Sequence, residues 1–178
     1  MKLNKILVLT LFLVGLSAYA GNDGMLTDRT VVQVQDFRNA MRLYDKEMYS
    51  RSKVMFDRIV KENAAADPAG YSLLCDVLAD KPGYENSLKG YVAQYPYSAL
   101  IPQIRYCHAL NLFDKQKYAE ASAVFAEVDM KHLYRGQRTE FTFKKAYCDF
   151  ENGRLLAAKD GFKVVEKSGF SDYTAPSR

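Results

Sequence analysis

The sequence predicts an all-α protein, a solenoid of about four stacked helical hairpins. Three observations predict it. Aromatic residues recur at a nearly fixed interval: Phe56, Tyr91, Phe125 and Phe162 follow one another after 35, 34 and 37 residues. Seven positions before the first three stands a tyrosine (Tyr49, Tyr84, Tyr118), with Leu155 in the fourth copy; four positions before each aromatic stands a small residue (Ser52, Ser87, Ala121, Ala158). Turn-forming residues then cut each copy into two halves. A period in this range marks repeated supersecondary units, each unable to bury its apolar face alone.

The elements follow in chain order. Residues 1–20 read as a signal peptide: Lys2 and Lys5 give a basic start, Ile6 to Leu16 an apolar run, and Ala18-Tyr19-Ala20 a small-residue cleavage site before Gly21. An uncleaved anchor is the rival reading, but the run is short against the ~20 residues needed to span a bilayer. The cut lacks a nearby cysteine for an N-terminal lipid anchor. Residues 21–29 are polar and are expected to be a disordered leader. The array is expected over residues 30–168, with units at about 33–66, 68–100, 102–135 and 139–168. The second unit breaks at Lys81-Pro82-Gly83, where Pro cannot continue a helix.

In the third unit, Ile101, Ile104, Ala109, Leu112 and Phe113 fall at three- and four-residue steps, as do Tyr118, Ala121, Phe125 and Val128. That spacing makes two amphipathic helices, separated by a polar break around Asp114 to Lys117. The fourth unit breaks at Asn152-Gly153, where glycine can supply the positive φ that ends a helix. Residues 169–178 read as the start of a truncated further unit or a tail. The outer face of the last helix (Leu156, Phe162, Val165) is then expected to be partly uncovered, which favours self-association or binding of an adjoining segment.

Charge and composition exclude several classes. The chain carries +4; without Lys2 and Lys5 this is 4 − 2 = +2, too near neutral to argue for nucleic acid or an anionic membrane. The 178 − 20 = 158 residues after the cut suit one domain. Three cysteines leave at least one thiol unpaired: Cys75, Cys107 and Cys148 are read as buried thiols in preference to a Cys107–Cys148 bridge. The spacing of Cys and His does not suggest a metal site. His108 is expected to be packed in a helix, and His132 lies 24 residues further on. Phosphate-loop, dinucleotide and nucleophile-elbow signatures are lacking, so neither a cofactor nor enzymatic activity is expected.

Four copies in register resemble the tetratricopeptide repeat (TPR), over roughly Val31 to Ser168. The residues that carry the resemblance are the small Ala40, Cys75, Ala109 and Ala146 where the two helices of a unit touch, followed by the tyrosine, small and aromatic positions already named. Tyr118-Ala-Glu-Ala121 with Phe125 matches best. The large aromatic expected early in the first helix is missing from three copies, where Asp36, Arg105 and Thr142 stand; Tyr71 fills it in the second.

The resemblance implies a right-handed superhelix whose inner wall is built from the first helix of each unit. Carried over by position, that wall comprises Phe37, Met41, Tyr44 and Asp45; Ser72, Asp76, Ala79 and Asp80; Tyr106, Leu110, Phe113 and Asp114; and Phe143, Tyr147, Phe150 and Glu151. It is rich in aromatics, with an acid at the last position of every set. Together with the N-terminal signal, the resemblance gives the expectation of a periplasmic or otherwise exported scaffold that binds a protein or peptide partner, in envelope assembly or maintenance, without nucleic acid or stable membrane insertion. A glycan- or peptidoglycan-associated module is the alternative, since aromatic troughs also stack on sugars. The lack of Trp and the length of the trough tilt the choice to protein. Arg38, Leu73, Cys107 and Lys144 stand where the family's carboxylate clamp needs other residues, so that mode of capture is not expected.

Overall fold

The computed structural model describes residues 28–169 and Tyr173. Residues 1–20, expected to be a signal peptide, lie outside them, as do residues 169–178, the expected start of a further unit or tail, apart from Gly169 and Tyr173. Among the described residues the chain is all-helical, without strands: α1 (Asp28–Asp45), α2 (Tyr49–Glu62), α3 (Ala66–Leu78), α4 (Tyr84–Gln94), α5 (Ile101–Asp114), α6 (Tyr118–Ala126), a 3-10 turn (Met130–His132), α7 (Arg135–Glu151) and α8 (Leu155–Ser168). The helix α1 begins inside the leader expected to run to Arg29, so Asp28 and Arg29 are helical.

The helices pair as hairpins, α1 with α2, α3 with α4, α5 with α6 and α7 with α8. Each unit also packs on the next, α2 against α3, α3 against α5, and α6 against α7. The result is a solenoid-like helical repeat. The small residues expected between paired helices are there: Ala40, Cys75, Ala109 and Ala146 are all at most 2% exposed. In the first unit the buried Ser52 hydroxyl donates to the Ala40 carbonyl at 2.9 Å, so the second helix lies directly on the first. In the fourth, a Cβ on Gly161 would fall 2.6 Å from the Ala146 Cβ, an approach only glycine permits.

One turn recurs four times. In each hairpin a left-handed residue donates its N–H to a carbonyl three residues back, and the next N–H donates five residues back. The pairs are Glu47 to Tyr44 and Met48 to Leu43; Asp80 to Val77 and Lys81 to Asp76; Gln116 to Phe113 and Lys117 to Leu112; Gly153 to Phe150 and Arg154 to Asp149. This Schellman closure satisfies the last carbonyls of the first helix. It requires positive φ, yet only the fourth copy uses glycine; Glu47 (60°), Asp80 (47°) and Gln116 (59°) hold it at a steric cost. Replacing the exposed Gln116 by glycine is therefore expected to stabilise the chain by about 1 kcal/mol, read as a raised midpoint in urea.

The second unit departs from the others. Its left-handed residue, Asp80, follows Cys75 by five positions, whereas Glu47, Gln116 and Gly153 follow Ala40, Ala109 and Ala146 by seven. The first helix thus stops two residues early, and Pro82-Gly83 lengthens the turn before α4 begins. The overall period survives while α4 rotates. Ser87, expected at the helix contact, is exposed, and Tyr84, Leu88 and Tyr91 are buried instead.

All three cysteines are buried free thiols, as expected; the Cys107–Cys148 bridge does not form. Burial pushes them up, Cys75 and Cys148 to about 11 and Cys107 to about 12, where thiolate chemistry is suppressed. The last helix corrects one expectation: Leu156 is 81% exposed and Phe162 half-buried, but Val165 is fully buried.

Candidate functional site

The first helices bring the expected aromatics together in two ladders, one at each end. At the first, Phe37 meets Phe56 at 5.5 Å and Tyr71 at 5.8 Å between ring centroids. Tyr44 meets Tyr49 at 5.7 Å and Tyr71 at 5.6 Å. Met41 packs beside them on the Ala40 cluster. Burial raises the Tyr44 phenol far above its ordinary value. At the second, Phe113 meets Tyr118 and Tyr147, each at 5.5 Å, with the Lys144 ammonium 4.9 Å from its ring. Phe143 continues to Tyr147 (6.5 Å), Phe162 (5.8 Å) and Tyr173 (5.3 Å), and Tyr147 to Phe150 (6.5 Å). Edge-on pairs at these distances add about 0.5–1.5 kcal/mol each beyond their area. Much of the wall therefore joins one unit to the next.

Tyr106 was expected on the open wall and is not there. It is 2% exposed, and its hydroxyl donates to a Glu140 carboxylate oxygen at 2.8 Å. Burial and that carboxylate hold the phenol protonated far above its usual range. Leu110 is half-buried against the same core. The exposed end of the second ladder is Phe150, 52% accessible, with Tyr147 beside it. The Tyr147 phenol is raised by its hydrogen bond to Glu151.

Unit two interrupts the aromatic wall. Its Ser72 is buried and donates to Asp57 of the preceding unit; Asp76 pairs with Lys53 at 3.0 Å and Lys81 at 2.9 Å. Ala79 and Asp80 lie beyond the end of α3, in the turn. The four terminal acids, Asp45, Asp80, Asp114 and Glu151, are all exposed. Two of them are answered from the next unit: Lys115 reaches Asp80 at 2.6 Å, and Lys144 reaches Asp114 at 3.5 Å. The acidic edge is thus partly neutralised within the chain. The lysines that do this could have been found in the sequence, standing 35 residues after Asp80 and 30 after Asp114.

Sequence reading also missed Asp149. It is 3% exposed and stands where the other units place Leu43, Leu78 and Leu112. Arg154 reaches its Oδ1 through Nε (2.9 Å) and Nη2 (2.6 Å), and Lys145 reaches Oδ2 at 3.0 Å. Arg154 also donates to Ser122 of the preceding unit, tying α6 to the α7–α8 hairpin. An acid in a leucine series, followed by an arginine, was the available signal.

His108 is packed as expected, its Nδ1 2.7 Å from the Tyr84 hydroxyl and its ring edge-on to Tyr84; burial pushes it below its ordinary value. His132 is exposed beside Asp129. Among the described residues, acids, histidines and cysteines nowhere group in threes that could hold a metal, and no helix is long and apolar enough to cross a membrane. Fold and wall together define a helical-repeat protein with aromatic ladders. Comparison of the chain with protein-family models, curated proteins and solved structures found no match.

Proposed function

We propose that this chain is a TPR-like scaffold, exported and freed of residues 1–20, which binds a protein or peptide segment along the inner wall of its first helices. It acts by binding and not by catalysis. The observation that carries the reading is the open end of the second ladder: Phe150 is half-exposed, and Tyr147, Phe113 and Phe143 rise behind it as a pre-packed aromatic surface. Rigid aromatics offer large contact area at small entropic cost, which is why they dominate binding hot spots. Met41 at the first ladder offers a second, adaptable anchor. The exposed Glu151 suits a segment carrying a basic residue.

The test is capture from an envelope extract by the folded chain, compared with a Met41→Ala/Tyr147→Ala variant of unchanged helical circular dichroism. A discrete protein retained by the first and lost by the second supports the reading. Equal capture by both contradicts it. Retention of the purified chain on protein-free cell-wall sacculi moves the reading to the glycan-associated alternative.

A further inference from the structure

The helix α4 is fastened differently from its counterparts. In units one and three the second helix carries the next unit, α2 against α3 and α6 against α7, whereas α5 lies on α3. Among the described residues, the hydrogen bonds that join α4 to α5 converge on one hydroxyl, that of Tyr84 at the head of α4. Tyr84 is 3% exposed, so its partners are protein groups.

Asn111 settles where the hydrogens lie. Its Nδ2 carries two of them. One goes to the Val77 carbonyl at the end of α3, at 2.7 Å, and the other to the Tyr84 oxygen, at 3.3 Å. Tyr84 accepts on that side and turns its own hydrogen to His108, whose Nδ1 lies 2.7 Å away. That bond needs a bare Nδ1, which makes the imidazole neutral with its hydrogen on Nε2. Once protonated, His108 presents an N–H to the same oxygen. The oxygen then faces two donors, and its own hydrogen loses its acceptor inside a buried joint, where an unanswered donor is costly.

Burial holds His108 below its ordinary value of 6.5, against the pull of Glu85 in α4, Glu120 in α6 and Glu127 just beyond it. Lys115 acts with burial, and is itself paired with Asp80 of the preceding turn at 2.6 Å. A histidine kept neutral in this way contributes stability that is present above the unfolded-state value and lost as pH falls through the folded-state value.

We propose that Tyr84 and His108 form an acid-sensitive latch: protonation of the imidazole takes the acceptor from the Tyr84 hydroxyl and frees the head of α4 from α5, while α5 stays seated on α3. The latch shares no residue with the inner-wall reading, so either can fail without the other.

The test follows the full chain by nuclear magnetic resonance between about pH 7.5 and about pH 5. The His108 ring signals, identified by cross-peaks to the Tyr84 ring at 5.4 Å between centroids, should titrate below 6.5. Tyr84→Phe removes the hydroxyl and should move that midpoint upward. Amide hydrogen exchange, corrected for the intrinsic rate at each pH, should lose protection severalfold in α4 at the acid end while α2 keeps its protection. In a His108→Asn chain, whose side-chain oxygen accepts a hydrogen bond but does not titrate, that loss should vanish. If His108→Asn does not fold, the Tyr84→Phe midpoint and the wild-type exchange decide alone. A midpoint that Tyr84→Phe lowers or leaves in place overturns the proposal, because the hydroxyl is then not donating to the ring. Protection of α4 indifferent to pH overturns it too. So does an equal acid loss in the wild-type and His108→Asn chains, which would assign the sensitivity to another group.

Discussion

Replacing Phe125 by alanine is expected to remove about 4 kcal/mol of stability, the largest effect of any single truncation in the third unit. The ring is 1% exposed. It comes from α6 but meets Phe141 of the following unit edge-on, with centroids 5.2 Å apart. Its loss leaves a cavity at a joint between units and not inside one hairpin. In a stacked array, stability is a sum of unit and neighbour terms, so weakening a joint also loosens cooperativity. The melting temperature should fall by about 10–15 °C. The unfolding transition followed by circular dichroism should broaden as the fourth unit melts ahead of the rest. The same truncation at Phe162, half-buried in the last unit, should cost clearly less.

Substituting Asp149 by alanine is expected to cost about 3 kcal/mol. The carboxylate is buried, and its removal strands Arg154 and Lys145 without their shared acceptor and frees the link to Ser122. The cost falls at the low end for a buried ion pair because Arg154 is half-exposed and can turn to water. The same site makes a pH prediction. Burial alone would raise the Asp149 pKa, but hydrogen bonds from Arg154 and Lys145 outweigh it and hold the group below its ordinary value of 3.8. A depressed carboxylate contributes stability that is fully present above the unfolded-state value and lost as pH falls through the folded-state value. Wild-type stability should therefore drop below about pH 4, and Asp149→Asn should flatten that limb of the urea-midpoint profile while lowering the neutral plateau.

The parts of this fold that were legible in the sequence are those that follow from periodicity. Each hairpin needs a small residue where its helices touch, so Ala40, Cys75, Ala109 and Ala146 could be placed before any coordinates, and so could the turn at Asn152-Gly153. What periodicity could not show was a compensated shift. In unit two the early end of α3 and the added Pro82-Gly83 cancel in the count, and Ser87 kept its place in the repeat while losing its place in the core. Nor does one helix's apolar pattern say which neighbour it faces. Tyr106 looked like a residue of the open wall, but Glu140 on the adjoining helix draws it inside. Val165 looked like part of the bare flank but is fully buried, leaving Leu156 to the solvent. Polar joints were the least visible, because Asp149, Lys115 and Lys144 acquire meaning only once the units are stacked.

The central claim is that each unit's rings lie against those of the next. Aromatic nuclear Overhauser spectroscopy on the folded chain measures this directly. Cross-peaks are predicted between Phe37 and Tyr71, Phe113 and Tyr147, and Phe125 and Phe141, whose centroids lie 5.8, 5.5 and 5.2 Å apart. Cross-peaks confined to rings within single hairpins, with all three inter-unit pairs silent, would contradict it.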